Sequence, residues 1–370
     1  MRVLMISKAC VAATYQVKLA EIARCPDVEL HVVVPPYWRE GRSRLWLERA
    51  HVRGYQMHVA PLALNGQFHL HFYPTLGRLM RQIAPDIVHI DEEPYNLATW
   101  QAMRLARRAG AQALFFTWQN LLRRYAWPFS ALERYNYAQA AYAIAGNAEA
   151  EQVLRAKGYR GPVEVLPQFG VDPEIYRPAE GPATNDVLTI GYVGRLVPEK
   201  GVDLLLRAAA GLGGEWRLRI IGDGPERAAL QGLAAELGLG ERVEWVARVP
   251  FAQVPAEMAR LDVLALPSRT RPNWKEQFGR VLVEAMSCEV PVIGSDSGEI
   301  PHVLGETGLV FPEGDAAALG RCLELVRDEP NRRGRWGRPG RQRVLERYTQ
   351  AHVAQRTCAI YGRMREARQG

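Results

Sequence analysis

Two glutamates, Glu276 and Glu284, occupy the stretch KEQFGRVLVEAM (275–286) with seven residues between them. The pattern predicts a polar loop followed by an apolar helix that begins at about Gly279 or Arg280. The first N–H groups of such a helix have no partner within the helix and can hold phosphate oxygens. The stretch therefore predicts a site for a phosphorylated ligand.

The two carboxylates would contact different parts of that ligand. Glu276, in the loop, would face the group attached to the phosphate. Glu284, one turn into the helix, would accept hydrogen bonds from paired hydroxyls such as those of a ribose. The alternative is that one glutamate caps the helix and the other is solvated. The apolar residues on both sides of Glu284 disfavour a solvated position.

A second polar cluster follows an earlier predicted strand, in GYVGRLVPEKGVDLLLRAA (191–209). Gly194 permits a tight turn. Arg195 and Lys200 then stand at the carboxyl end of the strand, where open α/β sheets bind ligands. Arginine can clamp a diphosphate through two N–H groups, and lysine adds a point charge; the alternative is a solvated turn. The spacing matches neither a dinucleotide-binding glycine motif nor a P-loop.

A third junction, IIGDGPERAAL (220–230), places Gly222 and Gly224 between a strand and a helix. Glycines there keep the strand end open toward the positive N-terminus of the helix. Such turns occur in any α/β protein, so this stretch supports a phosphate site only together with the other two.

The elements that would position these residues begin with the first half of the chain. Short apolar, β-branched runs alternate there with helical patterns, which predicts a parallel, doubly wound α/β sheet. The predicted strands are VLMIS (3–7), VELHVVV (28–34), YQMHVAPL (55–62), DIVHI (86–90), ALFFT (113–117), YAIAG (142–146) and VEVLP (163–167). Helices are predicted at 16–24, 96–110 and 148–158.

The pattern stops at YRPAEGPATND (176–186), whose Pro, Gly and polar residues predict an interdomain linker. It then restarts, with helices between the strands and closing helices from about Asn331. The predicted strands of this half are 187–194, 216–222, 242–247, 262–268, 290–295 and 308–311. Two α/β domains in series predict a ligand site in the cleft between them.

Composition bounds the class of protein. The 370 residues exceed what one core usually holds, and 48% hydrophobic and 24% charged residues are ordinary for a globular protein. No apolar run approaches the roughly 18 residues that span a bilayer, and the N-terminus does not resemble a secretory signal, so we expect a cytoplasmic protein. The five scattered cysteines include no C-x-x-C pair, which argues against disulfides or zinc and predicts buried thiols.

The net charge is +7, and the excess of positive charge lies mainly in the first half of the chain. The segment WREGRSRLWLERAHVR (38–53) combines five arginines with two tryptophans. This composition suits an anionic membrane surface or a phosphorylated acceptor. The alternative is a solvated helix face with both rings packed inward. We expect no nucleic acid partner, because the chain carries no helix-turn-helix, zinc or RNA-binding signature.

Taken together, the order and spacing of these motifs resemble the retaining glycosyltransferases of family 4, which have the GT-B fold. The resemblance covers essentially the whole second domain and the closing helices in 340–361. It is looser in the first domain, at PDIVHIDEEP (85–94) and PQFGVDPEIYRP (167–178). The motifs of the second domain are the E-x7-E pair, GRLVPEKG (194–201), IGDGPE (221–226), LPS (266–268) and GSDSGEIPHVLGETGLVFPEGD (294–315).

The resemblance implies two Rossmann-like doubly wound α/β domains that face a cleft, with C-terminal helices that cross back to the first domain. Residues 1–178 would bind the acceptor and residues 179–345 the nucleotide-sugar donor, while 346–370 would return to the first domain. The implied enzyme is a retaining hexosyltransferase that requires no metal ion or cofactor, because cations and a helix N-terminus neutralise the leaving diphosphate.

The resemblance also implies a role for each matching residue. Arg195 and Lys200 would bind the donor diphosphate, and Glu276 would contact the hydroxyls of the transferred sugar, which makes these three the catalytic candidates. Glu284 would hold the ribose. The other donor contacts would be Gly194, Gly222, Gly224, Val249 beside the base, and Gln277, Phe278, Gly279 and Arg280 around the start of the helix.

The chain departs from the family at two places in the first domain. The loop SKACVAATYQ (7–16) has two alanines where many relatives carry a glycine pair, so we assign it no ligand contact. FFTWQN (115–120) has Gln119 where relatives often carry a histidine. Glutamine can bind a hydroxyl but cannot act as an acid or base. Gln119 and Asn120 are candidate acceptor contacts.

Further acceptor candidates follow the predicted strand DIVHI. Asp91 and Glu92, with Glu93 beside them, stand at its carboxyl end, although helix-capping or solvated acids would show the same pattern. Arg123 could meet an anionic acceptor. His89 lies inside the strand and is predicted to be a core histidine.

Three functions remain open at this point. The leading hypothesis is transfer of a sugar from a UDP- or GDP-type donor to a glycan or lipid-linked glycan, in cell-surface polysaccharide or glycoconjugate synthesis at the inner face of the membrane. A nucleotide-sugar epimerase of the same fold is the second. A non-enzymatic, basic membrane-surface protein is the third; it agrees with the segment 38–53 but leaves the clustered polar residues unexplained.

Overall fold

The computed structural model describes residues 1–41, 43–179, 187–329 and 331–369. Contacts divide the chain into two compact units: unit 1 comprises Met1–Gly170 and Gln350–Gly370, and unit 2 comprises Val171–Thr349. Val171 and Thr349 form a β-bridge, so the chain enters and leaves unit 2 at neighbouring points.

Unit 1 contains a seven-stranded parallel sheet with the order β5-β2-β1-β6-β7-β8-β9. Every strand predicted for the first half of the chain lies in this sheet, as expected of a doubly wound fold. The strands of the unit, including a separate hairpin, are β1 (Arg2–Ile6), β2 (Glu29–Val34), β3 (Tyr37–Glu40), β4 (Ser43–Trp46), β5 (Gln56–Val59), β6 (Ile87–Ile90), β7 (Gln112–Thr117), β8 (Tyr142–Ala145) and β9 (Val163–Val165).

Both faces of this sheet are covered, which explains its continuously apolar strands. In β1, Leu4 and Ile6 belong to one apolar cluster and Val3 and Met5 to another, because successive side chains of a strand point to opposite faces. The helices of this part of the chain are α1 (Val17–Ile22), α2 (Leu76–Ile83), α3 (Leu97–Arg108), α4 (Phe129–Gln139) and α5 (Ala148–Ala156). The side chain of Asn147 caps α5 by accepting the Ala150 N–H at 2.7 Å.

The basic segment 38–53 does not form the helix face considered above. Its first part lies in the antiparallel hairpin β3–β4, in which Tyr37 pairs with Trp46 and Arg39 with Arg44. Arg42 lies outside the described residues. All four residues of β4 are exposed, so the segment has no buried face that could identify it from the sequence as a helix or a strand.

Unit 2 contains a six-stranded parallel sheet with the order β12-β11-β10-β13-β14-β15. The strands are β10 (Leu188–Val193), β11 (Trp216–Ile221), β12 (Val243–Val246), β13 (Val263–Leu266), β14 (Val292–Ser295) and β15 (Leu309–Phe311). The helices are α6 (Val202–Ala210), α7 (Arg227–Glu236), α8 (Val254–Met258), α9 (Arg280–Ser287), α10 (Ile300–Leu304), α11 (Ala316–Asp328) and α12 (Arg338–Arg347). All six predicted strands are present.

The predicted linker 176–186 begins too early. Tyr176 is buried in the apolar core of unit 2, and its carbonyl oxygen accepts the Ser287 hydroxyl at 2.6 Å. Apolar burial of this ring outweighs the polar, proline-rich composition that follows it. Residues 180–186 of the predicted linker lie outside the described residues.

The final helix, α13 (Gln350–Gln369), belongs to unit 1, where it packs against α1. This agrees with the expected return of the C-terminal helix. A disulfide joins Cys25, just after α1, to Cys358 of α13, so the prediction of five unpaired thiols is wrong for these two residues. The partners are 333 residues apart in sequence and become neighbours only when α13 packs on α1, which spacing along the chain could not reveal. Cys10 and Cys288 are free and buried, as predicted.

Chain order reverses beside the first strand of each sheet. In unit 1, β1 lies between β2 and β6, and in unit 2, β10 lies between β11 and β13. Ligands of open α/β sheets bind outside the carboxyl ends of the strands at such a reversal. The predicted polar clusters of the two halves stand at these two places.

Candidate active site

The turns after β10 and β11 pack backbone against backbone. The Gly194 N–H donates to Ile221 O at 3.0 Å, and the Gly222 N–H donates to Val246 O at 3.1 Å. A Cβ atom on Gly222 would lie 1.9 Å from the Gly194 carbonyl oxygen, and one on Gly224 would lie 2.2 Å from the carbonyl oxygen of Leu196. The glycines are therefore required by the close approach of the two turns, whether or not they also contact a donor.

Lys200 ends a short helical turn after β10, and its ammonium group contacts the loop that carries Glu276. Its Nζ lies 2.5 Å from Glu276 Oε2 and 5.0 Å from the ring centroid of Trp274. Arg195, five residues earlier, is exposed. Its carbonyl oxygen accepts the Tyr192 hydroxyl at 2.7 Å, whereas its guanidinium makes no hydrogen bond or ion pair with the described part of the chain. The structure thus joins Lys200 to Glu276 and leaves the Arg195 guanidinium facing solvent.

Glu276 is buried and held at both its side chain and its backbone. Oε2 accepts the Ser268 hydroxyl at 2.9 Å as well as Lys200, and the carbonyl oxygen accepts the Glu299 N–H at 3.2 Å. Gly298 passes so close that a Cβ there would lie 2.0 Å from the same carbonyl oxygen. The loop before α10 therefore fixes the loop that carries Glu276.

The helix predicted to grip phosphate is α9, and it begins at Arg280 as expected. Gly279 precedes it with φ +71°, a left-handed conformation that glycine adopts without strain. The N–H groups at the start of α9 lie shortly after Glu276 in the chain, so N–H groups that have no partner within the helix are close in sequence to this carboxylate.

Glu284 is buried inside α9, as its apolar neighbours predict. Its Oε1 accepts the Arg280 Nε–H at 2.8 Å. Burial raises the pKa of Glu284, and the Arg280 guanidinium offsets part of that shift. Arg280 also lies over the Phe251 ring, 5.0 Å from its centroid. The residue predicted to hold a ribose is thus oriented by an arginine on the preceding turn of its own helix.

The remaining predicted donor contacts surround this centre. Gln277 is exposed, and Val249 is partly buried in the loop after β12. Phe278 packs edge-on against Tyr348 with ring centroids 5.7 Å apart. Sequence reasoning missed Ser268, Trp274 and Gly298. For Gly298 the only available signal was a glycine inside the motif GSDSGEIP, which does not reveal the neighbouring Glu276 carbonyl.

In unit 1, Asp91 and Glu92 are buried at the carboxyl end of β6 and neither is solvated. Asp91 accepts the Ser7 hydroxyl at 2.7 Å and lies 3.8 Å from Lys18 Nζ. Glu92 forms an ion pair with Lys8. Burial alone would raise the pKa of Glu92, but Lys8 and His71 lower it to about 2. Their carboxylates join β6 to the loop after β1.

Glu93 differs from its two neighbours in its environment. Its carboxylate accepts the Thr117 hydroxyl at 2.6 Å and the Trp118 N–H at 2.8 Å. Burial raises the pKa of Glu93 to about 7, although both hydrogen bonds oppose the shift. With this pKa, Glu93 exchanges a proton near neutral pH.

This raised pKa predicts a pH dependence of stability. Between pH 4.5, where an unfolded glutamate ionises, and about pH 7, the folded protein keeps a proton that the unfolded chain loses. The free energy of unfolding contributed by Glu93 therefore falls as pH rises through this window. In urea titrations, the free energy of unfolding of wild type minus that of Glu93→Gln should decline between these pH values and then level off.

Glu92→Gln provides the control for that experiment. The pKa of Glu92 is lowered, so its contribution is lost only as pH falls below 4.5. The difference in the free energy of unfolding between wild type and Glu92→Gln should stay constant across the pH window in which the corresponding difference for Glu93→Gln changes. Parallel curves for wild type and Glu93→Gln would contradict the assigned pKa.

Gln119 is buried beside Lys157, whose Nζ donates to Gln119 Oε1 at 3.1 Å and to Glu133 Oε1 at 2.7 Å. Lysine has only donors, so this contact determines which end of the amide is the oxygen. Gln119 Nε2 is buried and has no hydrogen-bond partner among the described residues. Gln119 is therefore arranged to donate a hydrogen bond to whatever approaches Nε2.

The other unit 1 candidates occupy separate environments. Asn120 is buried and its Nδ2 lies 3.4 Å from Glu149 Oε2, whereas Arg123 is exposed. His89 is a core histidine, as predicted: its Nδ1 lies 2.7 Å from the Tyr361 hydroxyl, and burial lowers its pKa to about 3. Within the described ranges, no three His, Cys, Asp or Glu side chains form a set that could hold a metal ion.

Two family models match the chain, one for each half. The model for "Glycosyl transferase 4-like domain" matches residues 3–168. The model for "Glycosyl transferases group 1" matches residues 176–343. The second match contains the turns after β10 and β11 and both glutamates of the E-x7-E pair.

Curated relatives are glycosyltransferases with diverse acceptors. A GDP-mannose-dependent α-(1-6)-phosphatidylinositol monomannoside mannosyltransferase from Mycolicibacterium smegmatis is 33% identical over 55% of each chain. A 2-deoxystreptamine N-acetyl-D-glucosaminyltransferase from Streptomyces fradiae is 29% identical over 73% of this chain and 72% of its own. The chain spans about half the length of the mannosyltransferase and of other curated relatives that it matches.

Solved structures share the fold over nearly the whole chain. Anabaena HepE, solved in complex with UDP, superposes with a TM-score of 0.77 at 18% identity, covering 98% of this chain and all of its own. Sucrose-phosphate synthase from Thermosynechococcus elongatus superposes with a TM-score of 0.75 at 19% identity, covering 99% and 100%. With the two family matches, these findings show that the chain belongs to the family 4-type glycosyltransferases with the GT-B fold.

Proposed function

We propose that this protein is a retaining, metal-independent hexosyltransferase that moves a sugar from a UDP- or GDP-sugar to a glycan or lipid-linked glycan. The observation that carries the proposal is the Lys200–Glu276 ion pair beside the start of α9. The ion pair puts a cation and a buried carboxylate beside the strand reversal next to β10. This supports the proposal that the carboxylate faces the sugar and that the first N–H groups of α9 bind phosphate. One relative is a GDP-mannose-dependent enzyme, and one protein of the same fold was solved in complex with UDP. Both nucleotides therefore stay in the proposal.

In the proposed reaction, the bond between the anomeric carbon and the diphosphate oxygen breaks while the acceptor oxygen bonds to the same face of that carbon. The acceptor proton passes to an oxygen of the leaving diphosphate. Arg195, Lys200 and the first N–H groups of α9 neutralise the charge that develops there. Glu276 binds hydroxyls of the transferred sugar and Glu284 binds the ribose, so neither glutamate transfers the proton.

The acceptor would contact unit 1. Gln119 Nε2 offers a donor for an acceptor oxygen, and the exposed Arg123 suits an anionic group. Asp91, Glu92 and Asn120 are buried in contacts within unit 1, so we propose that they position the surrounding loops and reach the acceptor only where an atom is accessible. We place the reaction in cell-surface polysaccharide or glycoconjugate synthesis at the cytoplasmic face of the membrane.

A donor panel tests the proposal. The protein is incubated with UDP-, GDP- and ADP-sugars, with and without EDTA, and hydrolysis of the donor is measured for wild type and Glu276→Ala. We expect one nucleotide class to be hydrolysed with or without EDTA, and Glu276→Ala to lose activity while still binding the nucleoside diphosphate. An epimerised sugar that is still attached to its nucleotide would identify an epimerase instead.

A further inference from the structure

Three segments of unit 1 each expose large apolar side chains. They are the hairpin β3–β4 (37–46), the loop 63–72 and the segment 121–128. Trp127 is 81% exposed, Leu122 62% and Trp46 57%. The exposed apolar residues on the three segments are Leu45, Trp46, Leu64, Phe68, Leu70, Leu122 and Trp127. Sequence analysis identified only the first segment.

These segments are neighbours in the fold. Asn65 joins the loop to the hairpin, since its Nδ2 donates to Tyr37 O at 2.8 Å and its Oδ1 accepts the Arg39 N–H at 3.0 Å. His69 joins the loop to the third segment, since its ring centroid lies 6.0 Å from that of Tyr125 and 5.3 Å from that of Phe129, the first residue of the helix that follows the segment. We call the seven exposed residues and their three segments the tryptophan surface.

The charges on the tryptophan surface are mainly positive. The hairpin carries Arg39 and Arg44 against Glu40, and the third segment carries Arg123 and Arg124. All five of these side chains are exposed. The Arg44 guanidinium lies 5.1 Å from the ring centroid of Tyr37 and 5.9 Å from that of Trp46. On the hairpin, a cation therefore lies beside the exposed indole ring of Trp46.

We infer that the tryptophan surface binds the headgroup region of an anionic lipid bilayer. Exposed contiguous apolar patches mark interaction sites. Tryptophan favours the interface between water and hydrocarbon, and arginine is attracted to anionic lipid. No helix among the described residues is long and apolar enough to cross a membrane. The inference rests on the proposed function only in the purpose that it gives to membrane binding, which is to bring unit 1 to a lipid-linked acceptor.

Vesicle co-sedimentation of the full chain tests this without any sugar donor. At about 0.1 M salt we expect binding to vesicles of phosphatidylcholine with phosphatidylglycerol, and much weaker binding to phosphatidylcholine alone. Binding to the anionic vesicles should decrease at least tenfold at about 1 M salt, where the Debye length falls from about 10 Å to about 3 Å. Arg44→Gln with Arg124→Gln should weaken binding to the anionic vesicles only.

Variants of exposed residues separate the apolar contribution from folding. Leu122→Ser with Trp127→Ser should lower vesicle affinity at least tenfold, and Trp46→Ser provides an independent variant on another segment. The control is Leu325→Ser with Leu345→Ser, which replaces two partly exposed leucines of unit 2. Thermal unfolding and donor hydrolysis should remain at wild-type levels in all of them.

Three outcomes would overturn the inference. They are equal sedimentation of wild type with and without anionic vesicles, an equal loss in the unit 2 control, and a concentration-dependent dimer that the Leu122/Trp127 variant abolishes. The last result would assign the tryptophan surface to a second copy of the chain. Donor hydrolysis stays measurable in each case, so failure here is distinguishable from failure of the proposed enzyme activity.

Discussion

Replacing Lys200 by alanine is expected to lower kcat for sugar transfer by about 10²–10³-fold, which corresponds to roughly 2.7–4 kcal/mol of lost transition-state stabilisation. Lys200 is the cation that the structure holds at the start of the site, 2.5 Å from Glu276. When the sugar–phosphate bond breaks, negative charge grows on the leaving diphosphate, and a fixed cation there lowers the barrier. Steady-state kinetics with the hydrolysed donor measures the effect.

Arg195→Ala should show a loss of the same order, whereas Arg207→Ala should not. Arg207 is another exposed arginine of unit 2, on α6, so it controls for loss of charge as such. Because Lys200 and Glu276 contact each other, the double variant Lys200→Ala with Glu276→Ala should lose less than the product of the single losses. A loss below tenfold for Lys200 or Arg195 would contradict its proposed role.

Gly298→Ala is expected to reduce both stability and donor binding, although Gly298 contacts no proposed ligand. Its φ is +58°, and a Cβ atom would lie 2.0 Å from the Glu276 carbonyl oxygen. The loop that carries Glu276 must then move, together with the N–H groups at the start of α9. We expect the Kd for the nucleoside diphosphate to rise at least tenfold and the Tm to fall, measured by calorimetry.

Gly238→Ala separates backbone strain from the clash. Gly238 also has a left-handed backbone, with φ +70°, but no atom lies within 4 Å of its added Cβ. Both variants should lose the roughly 1–2 kcal/mol that left-handed backbone costs alanine. Only Gly298→Ala should lose donor affinity. Equal donor affinities in the two variants would show that Gly298 does not position Glu276.

Much of the fold could be predicted because its strands are buried on both faces. Leu4 and Val3 face different apolar clusters of unit 1, so β1 reads as a continuous apolar run and is easily recognised. The hairpin β3–β4 has no such covering. Its alternating arginines and aromatic residues fit a helix as well as a strand, and neither burial nor spacing along the chain decides between them.

Contacts between distant segments explain the other errors. Cys25 and Cys358 pair only because α13 packs against α1. Tyr176 lies in a stretch that looks like a linker, but its ring is buried in unit 2. For Asp91 and Glu92 the solvated alternative is wrong, because the structure buries both beside lysines of other elements, while their predicted contact with the acceptor stays a prediction.

The sequence by itself determined the residue types of the candidate site, the helix that begins at Arg280, and the family, because local spacing and strand ends are properties of neighbouring residues. Only the tertiary structure decided that Lys200 meets Glu276 and that Gly298 supports the Glu276 backbone. The physical reason is the strand order of unit 2. β13 pairs directly with β10, so residues 76 positions apart become hydrogen-bonded neighbours. A single sequence does not state which strand lies beside which.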